Sequence, residues 1–200
     1  MTNFEVRNKG GSIFVPLVGT YRNLNGSPDA NMLAYDIART FMGKSITIPA
    51  HIFQETVKIK ESVVHSAYFQ SVNQLWADID ISLVEIGANL NQIVKKYNDA
   101  LTTKDIEQLK LDKVVTEYCG LFLNRKGAIL ESALYDRKIA IQRSSMRKIT
   151  DAIGVVQGKK AASSALSVLK SRLINTLITD KETAVEILKR DKDGAFDLSS

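Results

Sequence analysis

Three short stretches of this sequence carry side chains suited to holding an anion or a polyol. Gly19-Thr20-Tyr21-Arg22 follows an apolar run. The glycine permits close backbone approach, and Arg22 could grip a phosphate or carboxylate through two parallel N–H bonds. The same residues also read as the ordinary turn that ends a strand. Gly158-Lys159-Lys160 stands between an apolar strand and a helix start, where open amides and the positive end of the helix dipole make an anion seat. Lysines are locally unfavourable there, so either a bound phosphate answers them or both point into water. Glu117, close to Cys119, could accept hydrogen bonds from sugar hydroxyls or be a surface glutamate. His51, behind Pro49-Ala50, reads as a ligand contact or as a partly buried loop residue.

No catalytic grouping accompanies these residues. There is no Ser-His-Asp order, Cys-His pair or pair of catalytic carboxylates. Asp136 and Arg137 are adjacent on an expected strand and would point to opposite faces. The Gly158 stretch lacks P-loop spacing, and no dinucleotide fingerprint occurs. Cys119 is the single cysteine, so an intrachain disulfide is excluded, and His51 and His65 are not spaced as a zinc pair. Neither a metal nor a cofactor is expected.

The 27 Lys+Arg against 22 Asp+Glu give a formal charge of +5, which attracts anions without choosing among them. The positive residues fall in scattered pairs (Lys95-Lys96, Arg125-Lys126, Arg147-Lys148, Lys159-Lys160) that read as solvated surface rather than a track for nucleic acid. No apolar run approaches the roughly 20 residues of a membrane span. Glu5, Arg7 and Lys9 interrupt the N-terminal stretch where a signal peptide would be apolar. A cytoplasmic location without membrane contact is expected.

Periodicity supplies the elements that must position the candidates. Ser12–Val18 reads as a strand ending at Gly19, and Asn23–Pro28 carries turn chemistry. Met32, Leu33, Ile37 and Phe41 then fall at helical spacing before Gly43. Ser45–Ile48 is a second strand, Phe53–Lys60 and Ser62–Ala77 are helices, and Ile79–Ile86 is a third strand. Asn89–Asp112 is polar and reads as a surface excursion with a helix near Lys104–Leu111. Tyr118–Leu123, Gly127–Ile129 and Lys138–Gln142 suggest a small antiparallel insert around the Asn124–Gly127 turn. Ile149–Val156, Lys159–Leu169, Thr176–Ile178 and Lys181–Arg190 alternate as strand, helix, strand and helix. The whole predicts an α/β fold: an open, mostly parallel sheet with helices on both faces, whose ligands gather beyond the carboxyl ends of the strands. Residues 1–11 read as a leader, 12–190 as one domain and 191–200 as a frayed tail.

Several segments, taken in order, resemble the sugar-binding domain of the SorC-type bacterial transcriptional regulators, the group that also holds the deoxyribonucleoside and central glycolytic-gene repressors. They are Val15-Pro-Leu-Val-Gly19, Asp29-Ala-Asn-Met-Leu-Ala34, Ile48-Pro-Ala-His-Ile-Phe53, Asp80-Ile-Ser-Leu-Val-Glu-Ile-Gly-Ala88, Glu117-Tyr-Cys-Gly-Leu-Phe122, Leu134-Tyr-Asp-Arg137, Val155-Val-Gln-Gly158 and Asn175-Thr-Leu-Ile-Thr-Asp180. The resemblance implies a fold akin to sugar-phosphate isomerases and coenzyme A transferases, used for binding without catalysis. It also implies homo-oligomers and a phosphorylated sugar or related metabolite as effector. It places that ligand near Gly19, Thr20 and Arg22, beside Asn31, under Pro49 and His51 and against Glu117, with Lys159 or Lys160 at Gly158 as phosphate partner.

The sequence departs from the family at several of these places. Glu117 stands where aspartate is usual, Leu121 for arginine, Tyr135 for asparagine and Val156-Gln-Gly158 for Ala-Gly-Gly, while the family lysine falls on Ala161. Family members begin with a helix-turn-helix, followed by a strand and a Gly/Ser/Thr-bearing loop. This sequence starts after both, which implies that DNA is reached only through a domain lying elsewhere, and that a sheet edge or apolar face is left exposed. Two other readings remain: a sugar-phosphate isomerase-like enzyme with Glu117 as its acid or base, and an oligomerisation remnant with no ligand.

Overall fold

Side-chain oxygens set the starts of the first five helices by accepting hydrogen bonds from amides that a helix leaves open. Asp29 caps α1 (Ala30–Thr40), Thr56 caps α2 (Val57–Val64) and Ser66 caps α3 (Ala67–Ala77). Asn89 with Gln92 and Thr102 with Asp105 form reciprocal capping boxes on α4 (Leu90–Lys96) and α5 (Thr103–Leu111). These elements belong to a computed structural model that describes residues 11–21, 29–87 and 89–196. Arg22, the 23–28 turn stretch and most of the expected leader lie outside the described residues.

The strands are short and mostly parallel. β1 (Ile13–Phe14) pairs in parallel with β2 (Lys44–Ser45) across α1. After α2 and α3, β3 (Ile81–Glu85) pairs in parallel with β6 (Asp151–Val156), which pairs in turn with β7 (Thr176–Thr179). Between them β4 (Val114–Tyr118) and β5 (Leu121–Asn124) form an antiparallel hairpin, followed by a 3-10 turn over Ala133–Arg137 and the short α6 (Arg143–Met146). α7 (Ala162–Ser171) crosses from β6 to β7, and α8 (Lys181–Phe196) follows β7. The predicted β-α-β-α-α-β order and the α/β class with an open, mostly parallel sheet are what the chain adopts.

Four local expectations are corrected. The strand expected over Tyr118–Leu123 is two strands, because Cys119 and Gly120 both take left-handed conformations (φ 49° and 74°) and reverse the chain in a two-residue turn. The Asn89–Asp112 stretch is more than a surface excursion. It carries α4 as well as α5, and Ile93, Tyr97, Leu101 and Leu109 close a second core with Ile52, Phe53, Phe122 and Leu134. Residues 133–137 coil as a 3-10 turn, so Asp136 and Arg137 do not share a strand, and the Arg137 guanidinium donates to the Gln54 carbonyl at 2.7 Å. The first part of the frayed tail expected over residues 191–200 continues α8 as far as Phe196.

The main core gathers Phe69, Val72 and Trp76 of α3, Ile86 after β3, and α7 with Ala165 and Val168. Two buried serines dock α7: Ser164 donates to the Val115 carbonyl at 3.3 Å and Ser167 to the Asn124 carbonyl at 2.7 Å. Residues paired in a parallel ladder project to the same side. Ser82, Ala152, Gly154 and Val156 face this core, whereas Ile81, Leu83, Ile153, Val155 and Ile178 face away. On that outer side Ile81, Leu83 and Ile178 are 62%, 57% and 52% exposed. On α1 the buried stripe is the small pair Ala34 and Ala38, while Met32, Leu33 and Phe41 stay exposed.

Candidate functional site

Gly19 and Thr20 lie where β1 runs on into a strand-like pairing with the segment after β2. The Thr20 amide donates to the Ala50 carbonyl at 2.7 Å, and the Ile52 amide donates to the Thr20 carbonyl at 2.8 Å. A Cβ on residue 19 would stand 2.5 Å from the Ala50 oxygen, so only glycine lets the two backbones approach this closely. The Thr20 hydroxyl lies 3.5 Å from His51 Nδ1, and the exposed imidazole faces outward beside it. Asn31 holds the neighbouring segment from below. Its amide donates to the Ile48 carbonyl at 3.1 Å and accepts from the Ile48 amide at 2.8 Å, fixing the approach to exposed Pro49 and to His51.

Glu117 sits near the end of β4 and is 7% exposed. One carboxylate oxygen accepts from Lys96 Nζ at 3.0 Å, and the other accepts from the Gly120 amide in the hairpin turn. Burial alone would raise the carboxyl, but the Lys96 charge and the Gly120 N–H reverse that and hold it below its ordinary value. Burial likewise presses the Lys96 ammonium down, and Glu117 overrides it and raises it. The Lys96 head also lies 4.6 Å from the Tyr21 ring and 4.9 Å from the Tyr97 ring. Tyr21 meets Tyr97 edge-on at 6.1 Å. The residue after Thr20 therefore touches the cation that holds Glu117, and the two predicted stretches meet through an aromatic pair. The Tyr97 hydroxyl is buried here, and the Glu117 carboxylate is its hydrogen-bonding neighbour. Burial, then the Glu117 charge, raises its pKa well above the ordinary tyrosine value. Cys119 beside it is also buried, and its thiol is pushed up to about 12 by burial and then by Glu117.

Gly158 is placed as expected, at the carboxyl end of β6, but its amide is taken by the chain itself. It donates to Asp180 Oδ2 at 3.0 Å, and Thr183 adds its amide at 2.8 Å and its hydroxyl at 2.6 Å to the same carboxylate. Thr183 and Gly158 hold Asp180 at a pKa of about 2. Lys159 and Lys160 begin a 3-10 turn rather than the α-helix itself. Lys159 lies 3.6 Å from Glu182 at the surface, and Lys160 is exposed. Among the described residues no hydrogen bond or ion pair joins Gly158–Lys160 to the Glu117 cluster. Gly19, Thr20, His51 and Glu117 are thus connected and Asn31 supports them, no such bond ties in the Gly158 loop, and Arg22 lies outside the described residues.

Sequence reasoning missed Lys96, Tyr21 and Tyr97. Lys96 reads as half of a solvated pair until the helix that carries it is recognised, and the signal was Asn89-x-x-Gln92, a capping box at the start of α4. Of the family departures, Tyr135 takes a structural part, since its hydroxyl accepts from the Phe122 amide at 2.8 Å, and Leu121 is buried in the core. Among the described residues no group of three His, Cys, Asp or Glu side chains could hold a metal, and no helix is long and apolar enough to cross a membrane.

Open α/β sheets commonly carry ligand sites beyond their strand ends, and comparison with known proteins narrows the class. Residues 1–189 match the family described as "Putative sugar-binding domain", and the chain belongs to it. Over 178 residues it is 24% identical to the sorbitol operon regulator of Klebsiella pneumoniae, covering 88% of this chain and 56% of that protein. It is 22% identical to the deoxyribonucleoside regulator of Bacillus subtilis, over 74% of this chain and 47% of that protein. The chain spans about half the length of these relatives. A transcriptional regulator from Streptococcus pneumoniae superposes with a TM-score of 0.83 at 34% identity, over 90% of this chain and 69% of that one. The full-length sorbitol operon regulator of K. pneumoniae gives 0.80 at 23% identity over 88% and 57%, a likeness of fold.

Proposed function

We propose that this domain senses a phosphorylated sugar or related metabolite for a transcriptional regulator. The observation that carries the reading is the meeting of the Gly19–Tyr21 strand end with the buried Lys96–Glu117 pair. Glu117 is locked in place with acceptor lone pairs left for sugar hydroxyls. The Thr20 hydroxyl and His51 are linked to this pair through Tyr21, whose ring meets Lys96 and Tyr97, and in this reading Gly19, Asn31 and Pro49 shape the floor. Arg22 and the Gly158–Lys160 loop supply the phosphate contacts, Lys160 being the exposed cation there. Membership of a family whose relatives are operon regulators supports the regulatory role.

Catalysis fits the cluster less well. An isomerase-like reaction needs a carboxylate basic enough to take a proton from carbon. Glu117 is a weakened base, since Lys96 and Gly120 stabilise its ionised form. Ligand binding instead shifts how the domain associates with copies of itself and with a DNA-binding domain outside this sequence, in the cytoplasm. The exposed Ile81, Leu83 and Ile178 face offers the apolar surface such association uses.

The test is a thermal-shift panel of hexose and pentose phosphates beside the free sugars. A binding phosphate present at about 100 times its Kd stabilises by about 2.7 kcal/mol. At least one phosphorylated sugar should raise Tm where its free form does not, and Glu117→Gln and Lys160→Ala should each reduce the rise. A flat response across the panel would sink the sensing role, and turnover lost in Glu117→Gln would favour the enzyme.

A further inference from the structure

A groove of about 450 Å³ opens where α2 and α3 face the 138–143 segment. Its size suits a small molecule rather than a macromolecule. Lys60, His65, Lys138 and Arg143 are among the residues that line it, while no aspartate or glutamate does. Asn73 and Gln142 add amides at the wall, and Trp76 and Leu121 give an apolar floor. None of Gly19, Thr20, His51, Glu117 or Gly158–Lys160 lines this groove.

Lys138 marks the groove as built for a ligand. Its stem crosses the Cys119–Gly120 turn so closely that a Cβ on residue 120 would stand 2.7 Å from Lys138 Cδ. The ammonium lies 5.0 Å from the Tyr135 ring and, among the described residues, has no carboxylate within ion-pair distance. Burial pulls its pKa down to about 8. Lys96, another deeply placed ammonium, is answered by Glu117 at 3.0 Å. Glu117 acts on this ammonium only from beyond ion-pair distance and does not outweigh burial, so the charge is costly to keep and an anion in the groove would offset that cost. We propose that this groove binds a small, multiply charged anion, with its acid groups between Lys138 and Arg143 and the remainder against Trp76 and Leu121.

Isothermal titration of the whole chain with pyrophosphate and with citrate, at constant ionic strength, tests the assignment. At least one probe should bind saturably to a single site. Arg143→Gln, a change at an exposed position, should weaken that binding by about ten-fold or more. Lys138→Met should do the same wherever it folds. Lys148→Gln, which removes one exposed charge elsewhere, should leave the affinity within about two-fold. Binding of pyrophosphate alone assigns a phosphoryl ligand, and binding of citrate alone a polycarboxylate. The proposal is overturned if neither probe binds, if Arg143→Gln binds as the parent does, or if Lys148→Gln costs as much as Arg143→Gln.

Discussion

Lys96 Nζ lies 3.0 Å from Glu117 Oε2, joining the last turn of α4 to the end of β4 across 21 positions of sequence. The glutamate side is nearly closed to solvent, with 5% of its side chain exposed against 27% for the lysine. Such a pair is defined by what happens when half of it is removed. Lys96→Met would strand a buried carboxylate, and cutting one partner from a buried pair costs about 3 kcal/mol or more. Urea unfolding should show that loss, and the double change Lys96→Met with Glu117→Gln should cost less than Lys96→Met alone. A double variant weaker than the single one would mean that the pair matters through packing and not through charge.

Acid should find the same pair. The Glu117 carboxyl is held below its ordinary value in the folded chain. Its contribution is therefore full above the unfolded carboxyl's pKa, near about 4.3, and disappears as pH falls through the folded value. In Tm measured from pH 7 downwards, Glu117→Gln should start lower and lose less on acidification than the parent. Asp180, held near 2, goes on titrating in both proteins and supplies the remaining slope. Equal slopes in the two proteins would show that Glu117 is not ionised by Lys96.

Cys119 should be silent in the native state. Burial and the neighbouring carboxylate push its thiol up to about 12, so thiolate is scarce at neutral pH. Labelling by a disulfide reagent at pH 8 should be slow in buffer and rapid in urea. Rapid native labelling would show that the Cys119–Gly120 turn opens readily.

Gly19→Ala tests the close approach at the strand end. The new methyl would stand 2.5 Å from the Ala50 oxygen and 2.8 Å from the His51 carbonyl carbon. Both obstacles are backbone and cannot rotate away, so the variant should lose about 1–3 kcal/mol, the usual range for overpacking. Urea unfolding gives the figure, and an unchanged midpoint would mean that the two strand ends separate without cost.

The fold was legible where turn chemistry and periodicity agree. Asp29, Gly43 and the Ile79–Ile86 run place α1 and β3, and the late strand-helix-strand order places β6, α7 and β7. It was less legible where burial falls on small residues. Ala34 and Ala38 carry no strong hydropathic signal, so the larger Met32, Leu33 and Phe41 mark a stripe that the chain leaves outside. The candidate site was half legible. Gly19, Thr20, His51 and Glu117 stand out by type, but Lys96 reaches Glu117 only through tertiary packing, and adjacency to Lys95 hides it. At Gly158 the sequence announces an open amide, yet Asp180 from the next strand end fills it, a partner 22 positions away that local reading does not weigh.

The two hydroxyls that dock α7 reach only main-chain oxygens, those of Val115 and Asn124. Recognition of this kind is indifferent to which side chains the hairpin carries at those positions, since every residue presents the same carbonyl. Relatives can therefore diversify the hairpin's amino acids without undocking the helix, provided that the strand path and the small polar residues on the helix persist. Drift in one surface and constancy in its mate is the pattern such an attachment allows.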